Sequence, residues 1–457
     1  MRLKFILLAI SAFANLMFAQ ILNKDASFAT NGVYTTAANP NPYFSGYAQS
    51  ADGSIYFTYS PTLTTTVLSK LTSNGTLDTS FGNNGELVLN NSSYQTSLTI
   101  QSDNKIVLVC THYNGSMGYS DVIRVLPNGQ LDSNFGSGGI ATITDLYYYD
   151  DLSGPGILLQ NNKLIIYGRG TQNQSEYFIH RLNSNGSIDS SFGTNGKITT
   201  SYFKFPFIDN LSNIVTFSHL AIKKYNPNGQ PLTSYGNNGV QTINFPVSPR
   251  GAILDSSNRI VYLEINNETV KRINPDGTLD STFNYDNLPN GINRLVNYLY
   301  EKDGLYYICG FGELPSGYSY FISRLTQNGD IDPAFGSFVE TDPAFNPGSL
   351  ERMFVNDNSF IVEDGYRIVK YLKNNTTLST TENSNNTEIQ FENPVKDHLV
   401  FATEEKIKSI EIYSIAGMLV KTLENNSTDV TTLLKGNYIA KVNFKNGKTK
   451  TVKIVKK

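Results

Sequence analysis

The stretch LTSNGTLDTSFGNNGELVL, residues 71–89, contains an N-G turn, a D-T-S-F-G turn and a return to apolar residues. Nearly the same phrase recurs as VLPNGQLDSNFGSGGIATI (125–143) and LNSNGSIDSSFGTNGKITT (182–200). Asn-Gly pairs supply the positive-φ residues of tight turns, and the Asp of D-x-S-F can accept hydrogen bonds from the amides that follow it. The phrase therefore predicts a sharp corner between two strands, and its recurrence predicts a repeat protein.

Three landmarks recur in a fixed order. The first is an aromatic turn at Phe28, Phe81, Phe135, Phe192, Tyr235, Phe283 and Phe335. The second is a hairpin turn between apolar residues, as in SADGSIYF (50–57) and EKDGLYYICG (301–310). The third is a strand that ends in a cation: Lys70, Arg124, Arg181, Lys224, Arg272, Arg324 and Lys370. Successive cations are 43 to 57 residues apart, a period typical of β-propellers and solenoids.

Each landmark occurs seven times, which predicts seven units. The N-terminal SFATNGVYTT (27–36) lies where the last unit would otherwise lack its continuation. Pairing the two chain ends would close a ring and remove exposed sheet edges, whereas an open solenoid would need capping repeats. We therefore predict an all-β fold: a seven-bladed β-propeller followed by a small antiparallel β-sandwich.

The repeat resembles the delta-60 repeat, a bacterial β-propeller module centred on D-x-S-F-G-x-x-G and D-G-K-I. The resemblance extends over about residues 23–375. It weakens at PLTSYG, where Leu232 replaces the Asp and Tyr235 the Phe, and at Asn284, which replaces a glycine. The resemblance implies a propeller and brings no agreed catalytic residues.

After the polar stretch LKNNTTLSTTENSNNTEIQ (372–390), the sequence no longer follows the repeat pattern. NPVKDHLVF (393–401), IYSIAGMLVKTL (412–423) and KGNYIAKV (435–442) resemble the type A sorting domain of the type IX secretion system of Bacteroidetes. The resemblance implies contact with that machinery, export across the outer membrane and, usually, removal of the domain. An immunoglobulin-like accessory sandwich is the alternative interpretation.

The N-terminus, MRLKFILLAISAFANLMFAQ (1–20), has two cations before an apolar run that ends at small residues, which predicts a Sec signal peptide cleaved after Ala19. No later segment reaches about 20 apolar residues, so we expect no transmembrane helix. We divide the chain into a signal peptide (1–19), the propeller (20–375), a linker (376–388) and the sorting domain (389–457). The expected location is secreted or on the outer cell surface.

The net charge of −3 and pI near 5.9 argue against nucleic acid as a partner. The two cysteines, Cys110 and Cys309, belong to repeats that are not neighbours, so we expect buried free thiols. The four histidines are His112, His180, His219 and His398. They form no metal-ligand spacing, and the sequence holds no G-x-S-x-G elbow or P-loop.

We expect no cofactor, and calcium is the alternative. NPDGTLD (274–280) and related turns carry oxygen ligands at alternate positions but lack the further oxygens that a complete calcium loop needs.

The recurring cation lies among apolar residues, where an unpaired charge is costly. The turn that follows offers a carboxylate partner in Asp78, Asp132, Asp189, Asp280 and Asp332. We therefore expect a repeated cation–Asp clamp at the blade corners. The alternative is a basic ring that binds anionic glycans.

Tyrosine-rich segments between the landmarks are candidates for ligand contact. DLYYYDD (145–151), SYFKFPF (201–207) and ELPSGYSYF (313–321) are predicted inter-strand connections. The candidate ligand-binding residues are Tyr147, Tyr148, Tyr149, Tyr202, Phe203, Tyr318 and Tyr320. Such aromatics stack on sugars or contact proteins, and the alternative is that they cover blade ends.

These features predict a non-catalytic binding or adhesion protein with a glycan or protein ligand at one propeller face. The alternative is an extracellular glycosidase-like enzyme, which needs two positioned carboxylates. Asp150, Asp151 and Glu313 are the first candidates for that role. A structural spacer whose ligand is another surface protein is the third hypothesis.

Overall fold

The structure is a computed structural model. It describes residues 22–36, 44–62, 65–89, 96–113, 118–147, 156–171, 175–243, 249–264, 269–283, 285, 293–314, 317–332, 335–340, 352–363, 367–373, 390–391, 394–402, 406–414, 419–424, 427–446 and 448–457. The chain divides into two compact units, Met1–Asn374 and Asn375–Lys457, so the first unit ends one residue before the predicted propeller does. The predicted signal peptide and linker lie outside the described residues.

The described part of the first unit contains seven β-sheets. Strands β1 (Leu22–Lys24) and β2 (Val33–Thr35) come first and belong to sheet 7. Sheet 1 contains β3 (Phe44–Gln49), β4 (Ile55–Thr62), β5 (Thr65–Leu71) and β6 (Glu86–Leu89). Sheet 2 contains β7 (Thr96–Ile100), β8 (Ile106–Tyr113), β9 (Gly118–Val125) and β10 (Ile140–Ile143). Sheet 3 contains β11 (Leu146–Tyr147), β12 (Gly156–Gln160), β13 (Lys163–Gly170), β14 (Tyr177–Leu182) and β15 (Lys197–Thr200).

The remaining sheets follow in the same order along the chain. Sheet 4 contains β16 (Phe205–Ile208), β17 (Ile214–Phe217), β18 (Ala221–Tyr225) and β19 (Val240–Thr242). Sheet 5 contains β20 (Ala252–Leu254), β21 (Ile260–Glu264) and β22 (Thr269–Ile273). Sheet 6 contains β23 (Asn293–Lys302), β24 (Leu305–Leu314), β25 (Gly317–Leu325) and β26 (Ser337–Val339). Sheet 7 contains β27 (Arg352–Val355), β28 (Ser359–Glu363) and β29 (Arg367–Lys373), with β1 and β2 as outer strands.

The two ends of the first unit meet in sheet 7. Strands β1 and β2 both pair antiparallel with β29, with Leu22 opposite Lys373 and Val33 opposite Val369. Between sheets 7 and 1, the rings of Phe354 and Tyr47 lie 4.9 Å apart. The predicted pairing of the chain ends is therefore observed, and the predicted all-β propeller is confirmed.

Apolar side chains from adjacent sheets form the core. Phe81 and Leu68 of the sheet 1 unit pack with Ile106 and Leu108 of sheet 2 in one buried cluster. The other face of β8 is covered as well, because Val107 and Val109 pack against Ile166 of sheet 3. A sheet covered on both faces explains the continuous apolar runs of the second strands.

Both cysteines are buried and free, as predicted. Burial raises the pKa of the Cys309 thiol, because the thiolate would lose its hydration there.

The antiparallel order gives the propeller two different faces. One face carries the turn between the first and second strands of each sheet and the corner after the third strand. We call it the clamp face. The opposite face carries the turn between the second and third strands and the connection to the next sheet, and we call it the connection face. The described residues of the three tyrosine-rich segments named above lie toward the connection face, since they follow fourth strands or belong to the facing ends of β24 and β25.

The second unit is described separately. Its strands are β30 (Gln390–Phe391), β31 (Phe401–Ala402), β32 (Ile407–Ser414), β33 (Leu419–Glu424), β34 (Gly436–Phe444) and β35 (Thr449–Lys456). Strands β33, β32, β34 and β35 form an antiparallel sheet in that order, and β30 pairs with β31. Ile412, Ala440 and Ile454 of the sheet pack with Val395 and Leu433 from the segments that cover it. Among the described residues of the chain, no helix has the length and apolar content to cross a membrane.

Candidate functional site

The clamp corners join a cation, an aspartate and an aromatic ring. Arg181 Nε donates to Asp189 Oδ2 at 2.7 Å, and its guanidinium lies 4.5 Å from the centroid of the Phe192 ring. Arg181 Nη1 also donates to the carbonyl of Pro227 at 2.5 Å, which belongs to the turn of the next repeat. One arginine thus closes its own corner and reaches the neighbouring sheet.

The same arrangement recurs at the other predicted pairs. The nitrogen–oxygen distances are 2.7 Å in Lys70–Asp78, 2.8 Å in Arg124–Asp132, 2.7 Å in Arg272–Asp280 and 2.9 Å in Arg324–Asp332. Arg124, Arg181 and Arg272 are at most 5% exposed. Their charges are therefore paired with groups inside the protein and are not accessible to solvent.

A repeated backbone hydrogen bond explains the glycines of the phrase. The amides of Gly82 and Gly136 each donate at 2.8 Å to a carbonyl in the next repeat, that of Asn128 and Asn185. Gly129, which follows Asn128, has φ +86°, and a Cβ there would lie 2.2 Å from the Gly82 nitrogen. The N-G turn therefore needs glycine both for its conformation and for this close approach.

The corner at Lys370 uses a partner that the sequence prediction omitted. Lys370 Nζ lies 3.1 Å from Asp25 of the N-terminal segment and 5.6 Å from the centroid of the Phe28 ring. Burial acts to raise the pKa of Asp25, but hydrogen bonds from Ser27 and Lys370 outweigh it and hold that pKa below its usual value. D-A-S-F (25–28) carries the repeat motif, so aligning it with the other aromatic turns would have identified Asp25.

The corner at Lys224 lacks a carboxylate because Leu232 takes the place of the Asp. Lys224 Nζ donates to the carbonyl of Pro275 at 2.8 Å and lies 4.4 Å from the centroid of the Tyr235 ring. Burial lowers the pKa of Lys224, since the charged ammonium is poorly solvated there. A cavity of about 10 Å³, room for about one water, lies beside these side chains.

Two histidines make internal contacts with carboxylates. His180 Nε2 lies 3.0 Å from Asp145, which is also 2.5 Å from Lys197 Nζ. Although burial raises it, His180 and Lys197 hold the pKa of Asp145 well below its usual value. His112 Nε2 similarly lies 3.0 Å from a carboxylate of the neighbouring strand.

The calcium-like turn uses its own carboxylates. Asp276 accepts hydrogen bonds from the amide and hydroxyl of Thr278 at 2.9 and 2.7 Å, and Asp280 accepts from Arg272. Among the described residues, no group of three or more His, Cys, Asp or Glu side chains is placed to hold a metal ion.

Two of the predicted ligand-binding aromatics are core residues. Phe203 and Tyr320 are each 1% exposed, so the expectation that they face solvent is wrong. Phe203 packs 5.5 Å from the Tyr177 ring, and Tyr320 packs 6.2 Å from the Tyr371 ring. Tyr320 lies in the long strand β25 and not in a loop, which explains its burial.

Other predicted side chains fall outside the described part of the chain. Tyr148, Tyr149, Asp150 and Asp151 are not described, and Tyr147, Tyr318 and Glu313 are described in backbone only. The backbone places Tyr147 on β11, Tyr318 on β25 and Glu313 on β24.

The remaining predicted residue, Tyr202, lies in a half-exposed group on the connection face. Its ring is 5.5 Å from Tyr177, edge to face, and 6.0 Å from the imidazole of His219. Lys223 Nζ lies beside it and donates to Thr200 Oγ1 at 2.9 Å and to Ser201 Oγ at 2.6 Å. We call Tyr202, His219 and Lys223, with these two hydroxyls, the Tyr202 patch.

The patch offers hydrogen-bond donors beside an aromatic ring. Burial lowers the pKa of Lys223, and no carboxylate of the described residues acts on it. Nδ1 of His219 is buried and has no hydrogen-bond partner among the described residues, so His219 contributes the edge of its ring and not a donor. Leu220, next to His219, is 52% exposed and extends the apolar edge. Sequence reasoning found Tyr202 but missed His219 and Lys223, because the sheets bring them together across two repeats.

Comparison with known families assigns the second unit. Residues 391–457 match the family described as the secretion system C-terminal sorting domain. The C-terminal unit is a secretion sorting domain. The predicted resemblance is confirmed, and with it the predicted location at the cell surface or in the extracellular space through type IX secretion. The sorting domain implies interaction with the type IX machinery.

The propeller also matches a family in part. Residues 101–135, 159–192 and 269–283 match a domain of unknown function described as a β-propeller, DUF5122, which confirms the predicted propeller repeat. The matched segments end at the clamp aromatics Phe135, Phe192 and Phe283, so each contains an Arg–Asp pair of the clamp face.

Several solved structures are similar over much of the chain. A catalytically inactive virginiamycin B lyase from Staphylococcus aureus is 15% identical, with 74% of this chain and 98% of that chain covered and a TM-score of 0.48. The extracellular domain of a hybrid two-component system from B. thetaiotaomicron is 11% identical, with 94% and 58% covered and a TM-score of 0.40. YCF48 from Cyanidioschyzon merolae is 12% identical, with 75% and 98% covered and a TM-score of 0.38. No curated protein sequence matches the chain significantly.

Proposed function

We propose that this exported protein is a non-catalytic binding protein whose propeller binds a glycan at the Tyr202 patch. The observation that carries the proposal is a half-exposed tyrosine ring beside the Lys223 ammonium and the exposed Ser201 hydroxyl. The proposal also fits the clamp face, where the described cations are engaged by internal partners.

The chemistry of the patch suits a sugar. A pyranose ring presents C–H groups on its faces and hydroxyls on its rim, so it needs an aromatic surface next to hydrogen-bonding groups. Tyr202, held at its edge by Tyr177, supplies the aromatic surface. Lys223 and Ser201 supply polar groups 2.6 Å from each other, within reach of one sugar hydroxyl.

The alternative is a polysaccharide-active enzyme on the same scaffold. Such an enzyme needs two carboxylates about 5–9.5 Å apart across the scissile bond. The candidate carboxylates for this role are Asp150, Asp151 and Glu313, whose side chains are not among those described. A protein ligand at the same patch is the third outcome that an experiment must separate.

A glycan array with the purified full chain tests the proposal, and mass spectrometry of the same wells detects cleaved sugars. We expect binding without turnover, with affinity about tenfold weaker in Tyr202→Ala, a loss of about 1.4 kcal/mol. Tyr202→Phe keeps the ring and should bind nearly normally. Tyr413→Ala, the same change in the sorting domain, is the matched control and should have no effect.

Three results would contradict the proposal. Release of sugar would show an enzyme. Binding that survives Tyr202→Ala unchanged would place the glycan elsewhere. An array on which no glycan binds would leave a protein as the ligand.

A further inference from the structure

The first strands of the sheets converge at the propeller axis. Each contacts the first strand of the next sheet in chain order, from β3 and β7 through β23 and β27. In sheet 7 the first strand is β27, and its Phe354 packs against Tyr47 of β3. Residues of the first strands therefore lie closest to the axis, and those of non-adjacent sheets can approach one another there.

Strand register identifies one layer across the axis. Equivalent positions lie three residues after the residues that align behind the hairpin turns: Ile55, Ile106, Leu164, Ile214, Ile260, Tyr306 and Phe360. Their partners on the first strands are also equivalent. These partners, which we call the axial layer, are Gly46, Ser97, Gly156, Phe205, Gly251, Tyr298 and Arg352. Four of the seven are glycine or serine, so Tyr298 and Arg352 have room beside them.

A third side chain enters this layer from a second strand. Tyr167 is the partner of Gly156, and a Cβ at Gly156 would lie only 1.9 Å from Cζ and the hydroxyl oxygen of Tyr167. The phenol therefore crosses the position that a side chain at 156 would occupy, on the axial strand. Phe203, in the connection between β15 and β16, supports the ring at 6.1 Å between centroids.

Within the described residues, the side-chain donors of this layer have no hydrogen-bond acceptor. Arg352 is half-exposed, and no described carboxylate lies at salt-bridge distance from it. The Tyr47 hydroxyl, on a side chain 4% exposed, has no hydrogen-bond partner in this part of the chain. The hydroxyls of Tyr167 and Tyr298 make no hydrogen bond to any described residue either.

The charge of Arg352 acts on all three tyrosines. Burial raises the pKa of Tyr167 to about 12, and the positive charge of Arg352 acts in the opposite direction. The pKa of Tyr47 and that of Tyr298 are likewise raised by burial and lowered in part by Arg352. Arg352 lies on β27, the first strand of sheet 7, and the three tyrosines belong to sheets 3, 1 and 6. All three hydroxyls stay protonated at neutral pH and can donate.

One carboxylate lies close to this group. Glu363 is opposite Arg352 on β28 and is 1% exposed. The Glu363 charge raises the pKa of Tyr47. It does not affect the pKa of Tyr167 or Tyr298, which the Arg352 charge lowers. The Tyr167–Tyr298 side of the layer is therefore positive and rich in donors.

We propose that the axial layer is a binding site for an oxyanion, a carboxylate or sulfate on a small ligand, held by Arg352 with Tyr167 and Tyr298. A guanidinium donates to a carboxylate or sulfate through two parallel N–H groups, and tyrosine hydroxyls donate to the oxygens that remain. The site is distinct from the Tyr202 patch and does not depend on glycan binding there.

Isothermal titration of the full chain tests this site with D-glucuronate, D-glucose, and sodium sulfate as probes. We expect glucuronate to bind, glucose to bind at least tenfold more weakly, and added sodium chloride to weaken glucuronate binding. Arg352→Met should reduce glucuronate affinity at least tenfold. Tyr167→Phe, which removes only a hydroxyl, should reduce it by a smaller factor.

Thermal unfolding of each variant separates loss of the site from loss of the fold, and Tyr413→Ala in the sorting domain is the control that leaves the axial layer intact. Sulfate that binds in competition with glucuronate, and loses affinity in Arg352→Met, would support an oxyanion site. The proposal is overturned if folded Arg352→Met binds glucuronate as well as the unchanged chain does, if glucose binds equally well, or if neither anion binds. Loss of glucuronate affinity in Tyr202→Ala with none in Arg352→Met would place the sugar at the Tyr202 patch and would also contradict it.

Discussion

Two arginines on the same propeller show how its regions differ. Arg272 is 3% exposed, pairs with Asp280 at 2.7 Å and donates to the carbonyl of Gln327 in the next repeat. Arg352, in the axial layer, is half-exposed and has no carboxylate partner among the described residues. The same side chain is a structural connection in one region and an available donor in the other.

The difference follows from what each region must do. On the clamp face, corners contact the next repeat through bonds such as Gly82 to Asn128 and Gly193 to Asn228. A corner that changes must still fit its neighbour, so the same phrase recurs. The first strands carry no landmark of this kind, and their sequences differ from sheet to sheet.

The largest expected effect comes from breaking a buried clamp. Arg272→Met leaves Asp280 buried without its cation, which should lower the free energy of unfolding by about 3–5 kcal/mol. Urea unfolding of the full chain measures it. Arg181→Met should lose less, because Lys163 also contacts Asp189. Equal stability of Arg272→Met and the unchanged chain would show that the clamp is not a structural element.

Breaking the closure of the ring should have an intermediate effect. Asp25→Ala removes the partner of Lys370, which is 20% exposed, so we expect a loss of about 1–2 kcal/mol. The folded-state pKa of Asp25 is depressed, so its contribution is present above the unfolded-state pKa of about 3.9 and is lost as the pH falls through the folded-state pKa. The stability difference between the two chains should therefore vanish in acid. Asp52→Ala, an aspartate in an exposed hairpin turn, is the control; a loss as large as that of Asp25→Ala would contradict the account.

The smallest expected effect comes from restoring a missing clamp. Leu232→Asp places a carboxylate eight residues after Lys224, the spacing of the five pairs from Lys70–Asp78 to Arg324–Asp332. The new pair should add up to about 1 kcal/mol, reduced by the lost burial of the leucine. Thermal unfolding should show a small rise in Tm, and the pKa of Lys224, now lowered by burial, should rise. A clear fall in Tm would mean that Leu232 is needed for packing.

The sequence predicted the clamps because their spacing is constant along the chain. It missed Asp25 as the partner of Lys370, because those two residues lie at opposite ends of the propeller sequence. It also assigned Phe203 and Tyr320 to the surface, since composition alone does not show that β25 continues as a buried strand. Arg352 carried no signal, because first strands have no landmark and meet only when the ring closes. Tyr167 carried none because it lies within an apolar second strand and crosses the position of Gly156 only in the folded sheet.

We infer that the clamp face is held together by its own cations, while the axial layer keeps its donors available. The urea-unfolding free energy of Arg352→Met, measured beside that of Arg272→Met, tests this directly. We expect Arg352→Met to stay within about 0.5 kcal/mol of the unchanged chain and Arg272→Met to lose at least about 3 kcal/mol. Comparable losses in both variants would contradict it, because Arg352 would then be as structural as the clamp arginines.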